Sequence, residues 1–262
     1  MMLILNAWAI SAVSMTIVWL IYMRIKNPGI VDVAWSLGIM LIGIYFAHPV
    51  TLLHKITLGL LIIWALRLSG YLWTTRILKG EKDKRYLSLQ KKWKTVALNF
   101  FLNYQFQAVL QVLVGIGVYS IFLGYAPITW LSCIAITIII TGIIGETVAD
   151  YQLSQFKADY AGQKKVCNRG LWKQSRHPNY FFDWLVWLGF AVLSIGSPYA
   201  AIAWISPITM YIIFNYITGP LTEKQSLDSR GDLYLEYKQV TPMFFPKAIV
   251  TLTRKTLVFL IP

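Results

Sequence analysis

The stretch from Glu146 to Gly189, ETVADYQLSQFKADYAGQKKVCNRGLWKQSRHPNYFFDWLVWLG, concentrates side chains that handle anions and hydroxyl groups. At its centre Ser175, Arg176, His177, Pro178, Asn179 and Tyr180 set a cation, an imidazole, an amide and a phenol just before an apolar run. Proline suits the first turn of a helix, where its missing N–H costs nothing, so Pro178 predicts a helix start. The free N–H groups and positive dipole end of that turn would then face the preceding loop, a place suited to phosphate. Lys157, Lys164, Lys165, Arg169, Lys173 and Arg176 supply charge around it, and Asp150, Asn179 and Asp183 supply groups able to hold ribose hydroxyls or a carboxamide. Asn179 and Asp183 stand one helical turn apart and so project from one face.

Ionisable groups inside apolar runs are a second source of chemistry, because a charge at membrane depth is expensive and faces protein or a wet cavity. Few occur: Asp32 in NPGIVDVAW, Arg67 in WALRLSGYLWTTR, and Glu146 and Asp150 at the end of a later run. Asp32 has two readings. It is a helix cap or ion-pair partner of Arg67, or it is a carboxyl without a partner that stays protonated and polarises a substrate. Asn103, Gln107 and Gln111 follow one another at four-residue spacing, which suits amides that hydrogen-bond between helices.

The elements that must position these groups are membrane helices. The 262 residues are 57% hydrophobic and 13% charged, against about 25% charged in a soluble domain. Seven apolar runs, 3–23, 30–47, 52–73, 97–123, 127–149, 180–196 and 198–218, approach the 20 or so residues that cross a bilayer. The expected fold is an all-α polytopic membrane protein of about seven transmembrane helices, one domain over 1–262, with a retained first helix. Lysine and arginine number 24 against 11 acids, a balance that raises nucleic acid as a partner in a soluble chain. Here the positive-inside rule accounts for it, and nucleic acid is not expected. Basic stretches at Arg76–Lys94 and 150–179 and the polar tail at 222–247 fall on one side, so the N-terminus is predicted outside and the C-terminus cytoplasmic. Cys133 and Cys167 are too few and too differently placed for a disulfide framework, and no metal site is expected.

The segment resembles the steroid 5-alpha-reductase-like membrane reductases, which are related to sterol C14 and delta-7 reductases and, more distantly, to isoprenylcysteine carboxyl methyltransferases. The resemblance is carried by Asp150-Tyr151, Lys157 and Lys165, Gly170-Leu171-Trp172, Arg176-His177, Asn179-Tyr180, Asp183 and Trp187. The tail is similar too, through Glu223, Arg230-Gly231, Tyr234, Tyr237, Thr241-Pro242 and Phe245-Pro246. It covers roughly 146–246, and the first 145 residues match mainly in VDVAW and in the Arg67, Tyr71, Arg76 spacing.

What the resemblance implies is reduction of a carbon–carbon double bond conjugated to a carbonyl in a lipophilic substrate, with NADPH as cofactor. It assigns Asp150, Lys157, Lys165, Arg169, Arg176, His177, Asn179, Tyr180, Asp183, Trp187, Glu223 and Tyr237 to the cofactor, and Asp32 and Tyr71 to catalysis. Several departures stand out, among them the family's tail His and Tyr, which have no clear match in GPLTEKQSL. The family's glutamate on the second helix is represented by Asp32, and its third-helix tyrosine by Trp64, with Tyr71 two turns further on; Phe182 also replaces a usual glycine before the acid. The alternative class is an S-adenosylmethionine-dependent membrane methyltransferase, which shares the RHPNY segment and the tail but needs no second basic cluster for a 2′-phosphate. A transporter would show polar groups along several runs and a repeated topology, and neither is seen. A bacterial cytoplasmic membrane is the expected location, with the cofactor on the cytoplasmic side.

Overall fold

The computed structural model describes residues 2–79, 86, 90, 93–124 and 128–251. Among these residues the chain is helical and contains no strand. The elements are α1 (Met2–Ile25), α2 (Ile30–Phe46), α3 (Leu52–Leu72) with a π-helical turn at Trp73–Leu78, α4 (Val96–Phe122) and α5 (Trp130–Asp159). A 3-10 turn at Gly170–Lys173 precedes α6 (Pro178–Leu193), α7 (Ala200–Ala203) and α8 (Ile205–Ile212). A second π-helical turn, Ile213–Thr218, leads into α9 (Gly219–Arg230) and α10 (Asp232–Val240). Pro178 opens α6 as expected.

Among the described residues five segments are long and apolar enough to cross a membrane: Met2–Ile25, Leu52–Leu78, Val96–Phe122, Trp130–Asp159 and Ala200–Arg230. This differs from the seven expected. The second run forms a helix of 17 residues and the sixth one of 16, both short of the 20 or so a bilayer core requires. The outward faces of the long helices carry large apolar side chains such as Leu5, Val13, Ile17, Ile63, Leu102 and Ile144, as lipid contact demands. The basic stretch from Arg76 to Lys94 lies largely outside the described residues.

The chain divides into two compact units, 1–139 with 187–210, and 140–186 with 211–262. In the first, α1 and α2 pack along α4, α3 packs on α2, and α7 closes against α4. Its core includes Met15, Tyr22, Val31, Phe100, Tyr104 and Ala108. Without a hydrophobic force between lipid-solvated helices, close packing and amide bonds hold such a bundle. Gln111 serves this role as foreseen for the amides of α4. Its Nε2 donates to the carbonyls of Ala34 (3.1 Å) and Trp35 (3.0 Å), and its Oε1 accepts from Ser11, so one side chain joins α1, α2 and α4. Gln105 adds a bond to Thr16 at 3.0 Å.

Helix starts are capped by local chemistry. Thr51 accepts from the His54 amide at 3.2 Å, and Thr129 and Ser132 cap each other's amides at 3.2 Å. Ahead of α2, Asn27 Oδ1 accepts from the Gly29 amide at 3.0 Å while its Nδ2 donates to the Arg76 carbonyl at 3.0 Å, tying the π-helical end of α3 to the start of α2.

In the second unit the end of α5 lies against the start of α6 with almost no side chain between them. A Cβ on Gly142 would stand 2.8 Å from the Phe182 carbonyl and 2.9 Å from the Val186 amide, both backbone atoms that cannot turn aside. Gly145 faces the Phe182 ring in the same way. The aromatic at 182 is therefore accommodated by a glycine on the facing helix. Gly142→Ala should part these helices and lower stability by about 1–3 kcal/mol. Gly59→Ala, where a Cβ meets nothing within 4 Å, should be neutral or slightly stabilising. Melting temperatures of the two variants in detergent measure the contrast.

Candidate functional site

In the second unit the RHPNY loop and the tail fold onto one carboxylate. The backbone of 174–177 runs beside 242–247: Arg176 N donates to Pro242 O (2.9 Å), His177 N to Met243 O (3.2 Å) and Lys247 N to Gln174 O (2.9 Å). Ser175 Oγ donates to the carbonyls of Phe244 (2.8 Å) and Met243 (3.1 Å). These bonds aim the Arg176 side chain at Glu223 on α9. Arg176 Nε meets Glu223 Oε1 at 2.5 Å and Nη2 meets Oε2 at 3.0 Å, a bidentate pair in which the two residues are 8% and 7% exposed. Arg176 Nη1 also donates to the carbonyls of Thr241 (2.5 Å) and Lys238 (3.1 Å).

Glu223 collects three further partners. Tyr234 donates its hydroxyl at 3.2 Å, His177 Nε2 lies 3.3 Å away, and Lys238 Nζ lies 3.4 Å from Oε2. Tyr237 reaches past this group to donate to the carbonyls of Trp172 and Ser175. Burial raises the pKa of both the Tyr234 and the Tyr237 hydroxyls, so they remain donors. Burial likewise lowers His177 below its ordinary 6.5, against the opposing pull of Glu223, and leaves the imidazole neutral. The turn that brings α10 back onto Glu223 depends on Gly231, whose φ of 58° suits glycine.

A column of parallel rings stands beside this group. His177 stacks on Tyr180 at 4.9 Å and Tyr180 on Phe214 at 4.6 Å, each pair tilted by 6°. Across the α5–α6 contact, Asn179 Nδ2 donates to Asp150 Oδ1 at 3.3 Å. Asn179 Oδ1 is buried and accepts no hydrogen bond from the described residues. Glu146, Asp150 and Asp183 are all buried on these two helices.

The remaining basic residues have other surroundings. Arg169 pairs with Asp159 at 3.0 Å and lies over the Phe156 ring, while Lys165 lies 3.9 Å over the Tyr160 ring. Lys157, Lys164, Lys165 and Lys173 are exposed. Cys167 is buried with Phe156 and Trp172, and burial raises its thiol pKa, which suits a structural residue.

In the first unit Asp32, in the first turn of α2, pairs with Arg76 and accepts from the Tyr86 hydroxyl at 2.8 Å. The expectation of a carboxyl without a partner is therefore corrected, and the pairing cation found is Arg76. Arg76 lies in the π-helical turn Trp73–Leu78 that follows α3. Tyr71 is half-buried one turn before this segment, and Trp187 packs on Trp64. Ser175 and Tyr234, which carry no assigned role in the sequence, help to build the site, and Tyr234 shares a helix face with Tyr237 at three-residue spacing.

The fold and this site define the class: an all-helical chain with several membrane-length apolar helices and a buried, polar C-terminal site. Residues 18–241 match the family described as Protein of unknown function (DUF1295), and the chain belongs to that family. No curated protein and no solved structure matches it.

Two outcomes follow from the Glu223 network. Glu223→Ala strands the buried Arg176 guanidinium and should cost about 3–5 kcal/mol, read as a fall in melting temperature. His177 supplies a pH dependence. The unfolded chain takes up this proton near 6.5 and the folded chain only at a lower pH, so the contribution is complete above 6.5 and is lost as pH falls through the folded value. Melting temperature should drop between about pH 7.5 and about pH 5.5, with a shallower drop in His177→Asn.

Proposed function

We propose that this chain is an NADPH-dependent reductase of a carbon–carbon double bond conjugated to a carbonyl in a lipophilic substrate, similar to the steroid 5-alpha-reductases. One observation carries the reading. The two stretches that resemble those reductases, around RHPNY and in the tail, lie far apart in sequence and meet around a single buried carboxylate through Arg176, His177, Glu223 and Tyr234.

The residues beside this network suit a nucleotide. Asn179 Oδ1, a buried acceptor with no donor among the described residues, fits a ribose hydroxyl or a carboxamide N–H. Asp150 orients Asn179 through its hydrogen bond, and Asp183 projects from α6 one turn further on. Arg176 commits its fork to Glu223 and two carbonyls, so it builds the site, and the exposed Lys164 and Lys173 are candidates for the phosphates. Tyr180 and His177 offer ring faces and Tyr237 braces the loop. NADPH, when bound, supplies a hydride. Asp32, set by Arg76 and Tyr86, and Tyr71 are the candidates for orienting the substrate carbonyl.

In this reading all seven apolar helices engage the bilayer, the N-terminus lies outside, and the second unit meets cytoplasmic NADPH at a bacterial cytoplasmic membrane. The extra phosphate of NADPH should gain charge-assisted bonds worth about 1.5–3 kcal/mol, roughly tenfold or more in affinity over NADH. Calorimetry on the solubilised protein measures this, and Asn179→Ala should abolish nucleotide binding while the protein stays folded. Equal affinity for both nucleotides counts against the reading, and S-adenosylmethionine found by mass spectrometry of the purified protein would replace it with a methyltransferase.

A further inference from the structure

His54 sits in the first turn of α3, inside the first unit, and is 2% exposed. Both of its ring nitrogens meet backbone carbonyls. Nδ1 lies 3.0 Å from the oxygen of His48 and Nε2 lies 2.9 Å from the oxygen of Gly124. A carbonyl oxygen only accepts, and a neutral imidazole offers one N–H and one lone pair. In either neutral tautomer, then, one nitrogen turns a lone pair towards an oxygen lone pair, in a place that water does not reach freely. An imidazolium, with a proton on each nitrogen, satisfies both contacts.

The surrounding backbone favours the same state. Helix α2 ends at Phe46 and α4 at Phe122, so the two carbonyls lie just past the C-termini of two helices, where the negative ends of their dipoles gather. The Phe122 ring meets the imidazole edge-on at 5.5 Å. The charged and titratable groups around this end are the exposed Lys55 on α3, the exposed His48 in the connecting turn, Tyr45 on α2, Tyr119 on α4 and the exposed Tyr199. Asp32 is the one carboxylate among the described residues of the first unit, and it stands at the opposite end of α2. Carbonyls and helix ends therefore answer the charge of this ring, and Lys55 and His48 oppose it from the solvent side.

We propose that His54 is a proton-operated latch joining α2, α3 and α4 at one end of the first unit. With both nitrogens protonated it ties the turn after α2 and the end of α4 to the start of α3. Loss of one proton leaves one carbonyl without its donor and frees that connection. Gly124 also lies against Ser197, whose atoms a Cβ at 124 would meet at 3.1 Å, and Ser197 Oγ donates to the Ser120 carbonyl at 2.9 Å, so release there loosens the turn at 194–199 as well. The latch stabilises the unit where His54 is protonated and weakens as pH rises, opposite in sign to His177. It is independent of any chemistry in the second unit.

The chain has three histidines, so a single ring can be followed. In protein labelled with 15N on the histidine side chains, His54 is the ring that remains in the double variant His48→Gln, His177→Asn. It should carry two N–H groups at about pH 5 and one at about pH 8, the range over which histidine changes charge. The amide signals of Gly124 and of Val50, which donates to the His48 carbonyl, should move with the same midpoint. A second readout is melting temperature in the His177→Asn background, which removes the opposing dependence. His54→Gln should cost more stability there at pH 5 than at pH 8, because glutamine keeps the same donors at both. A ring that stays in one state throughout, neutral or doubly protonated, overturns the latch, and so does a cost of His54→Gln that is equal at both pH values. The spectra come from a chain that retains His54, so they decide the matter even where His54→Gln folds poorly.

Discussion

The second unit is organised by a guanidinium and a carboxylate buried together. Neither Arg176 nor Glu223 tolerates burial alone, since an ion taken from water without a partner costs several kcal/mol. Their pairing therefore forces α9 against the loop before α6, and every surrounding contact follows from that constraint. The carbonyls of Lys238 and Thr241 complete the guanidinium, Tyr234 and His177 complete the carboxylate, and the backbone of 242–247 lies along 174–177. Such a pair adds little stability over well-packed apolar residues, so its value here is that it permits one arrangement of loop and tail.

The first unit solves a different problem. Its helices are apolar on every side, and hydrophobicity cannot decide which faces meet inside a lipid-solvated bundle. Directional contacts decide it: Gln111 reaches into α1 and α2, and Asn27 and Asp32 hold the π-helical end of α3 beside the start of α2. Gly38 makes room for the Gln111 amide, because a side chain there would overlap it. Polar satisfaction and small residues thus do together what alternating polarity does in a water-soluble bundle.

Set against this economy, the polar atoms that packing leaves unanswered among the described residues gain meaning. Arg176 and Glu223 have their bonds within the chain and act as framework, whereas Asn179 Oδ1 and Trp187 Nε1 are buried without a partner there. The first is an acceptor beside carboxylates, suited to the hydroxyls and amides of a nucleotide. The second is a donor among aromatic rings.

By itself the amino-acid sequence determined the class and the start of α6. A 57% hydrophobic chain with its charges gathered into a few loops has to form apolar helices, because backbone groups in lipid must be satisfied within each segment. Pro178 marked the start of α6, and Arg176, His177, Glu223 and Tyr237 entered one set through the resemblance, before any contact between loop and tail was visible. Roles were not legible. Arg176 has the look of a phosphate ligand until Glu223, 47 residues away, fills its fork, and Asp32 stays open between an ion pair and an isolated acid until Arg76 is found beside it. Both depend on contacts between distant segments. The number of membrane-length helices was likewise decided by where caps and turns end each run, which left the second and sixth at 17 and 16 residues.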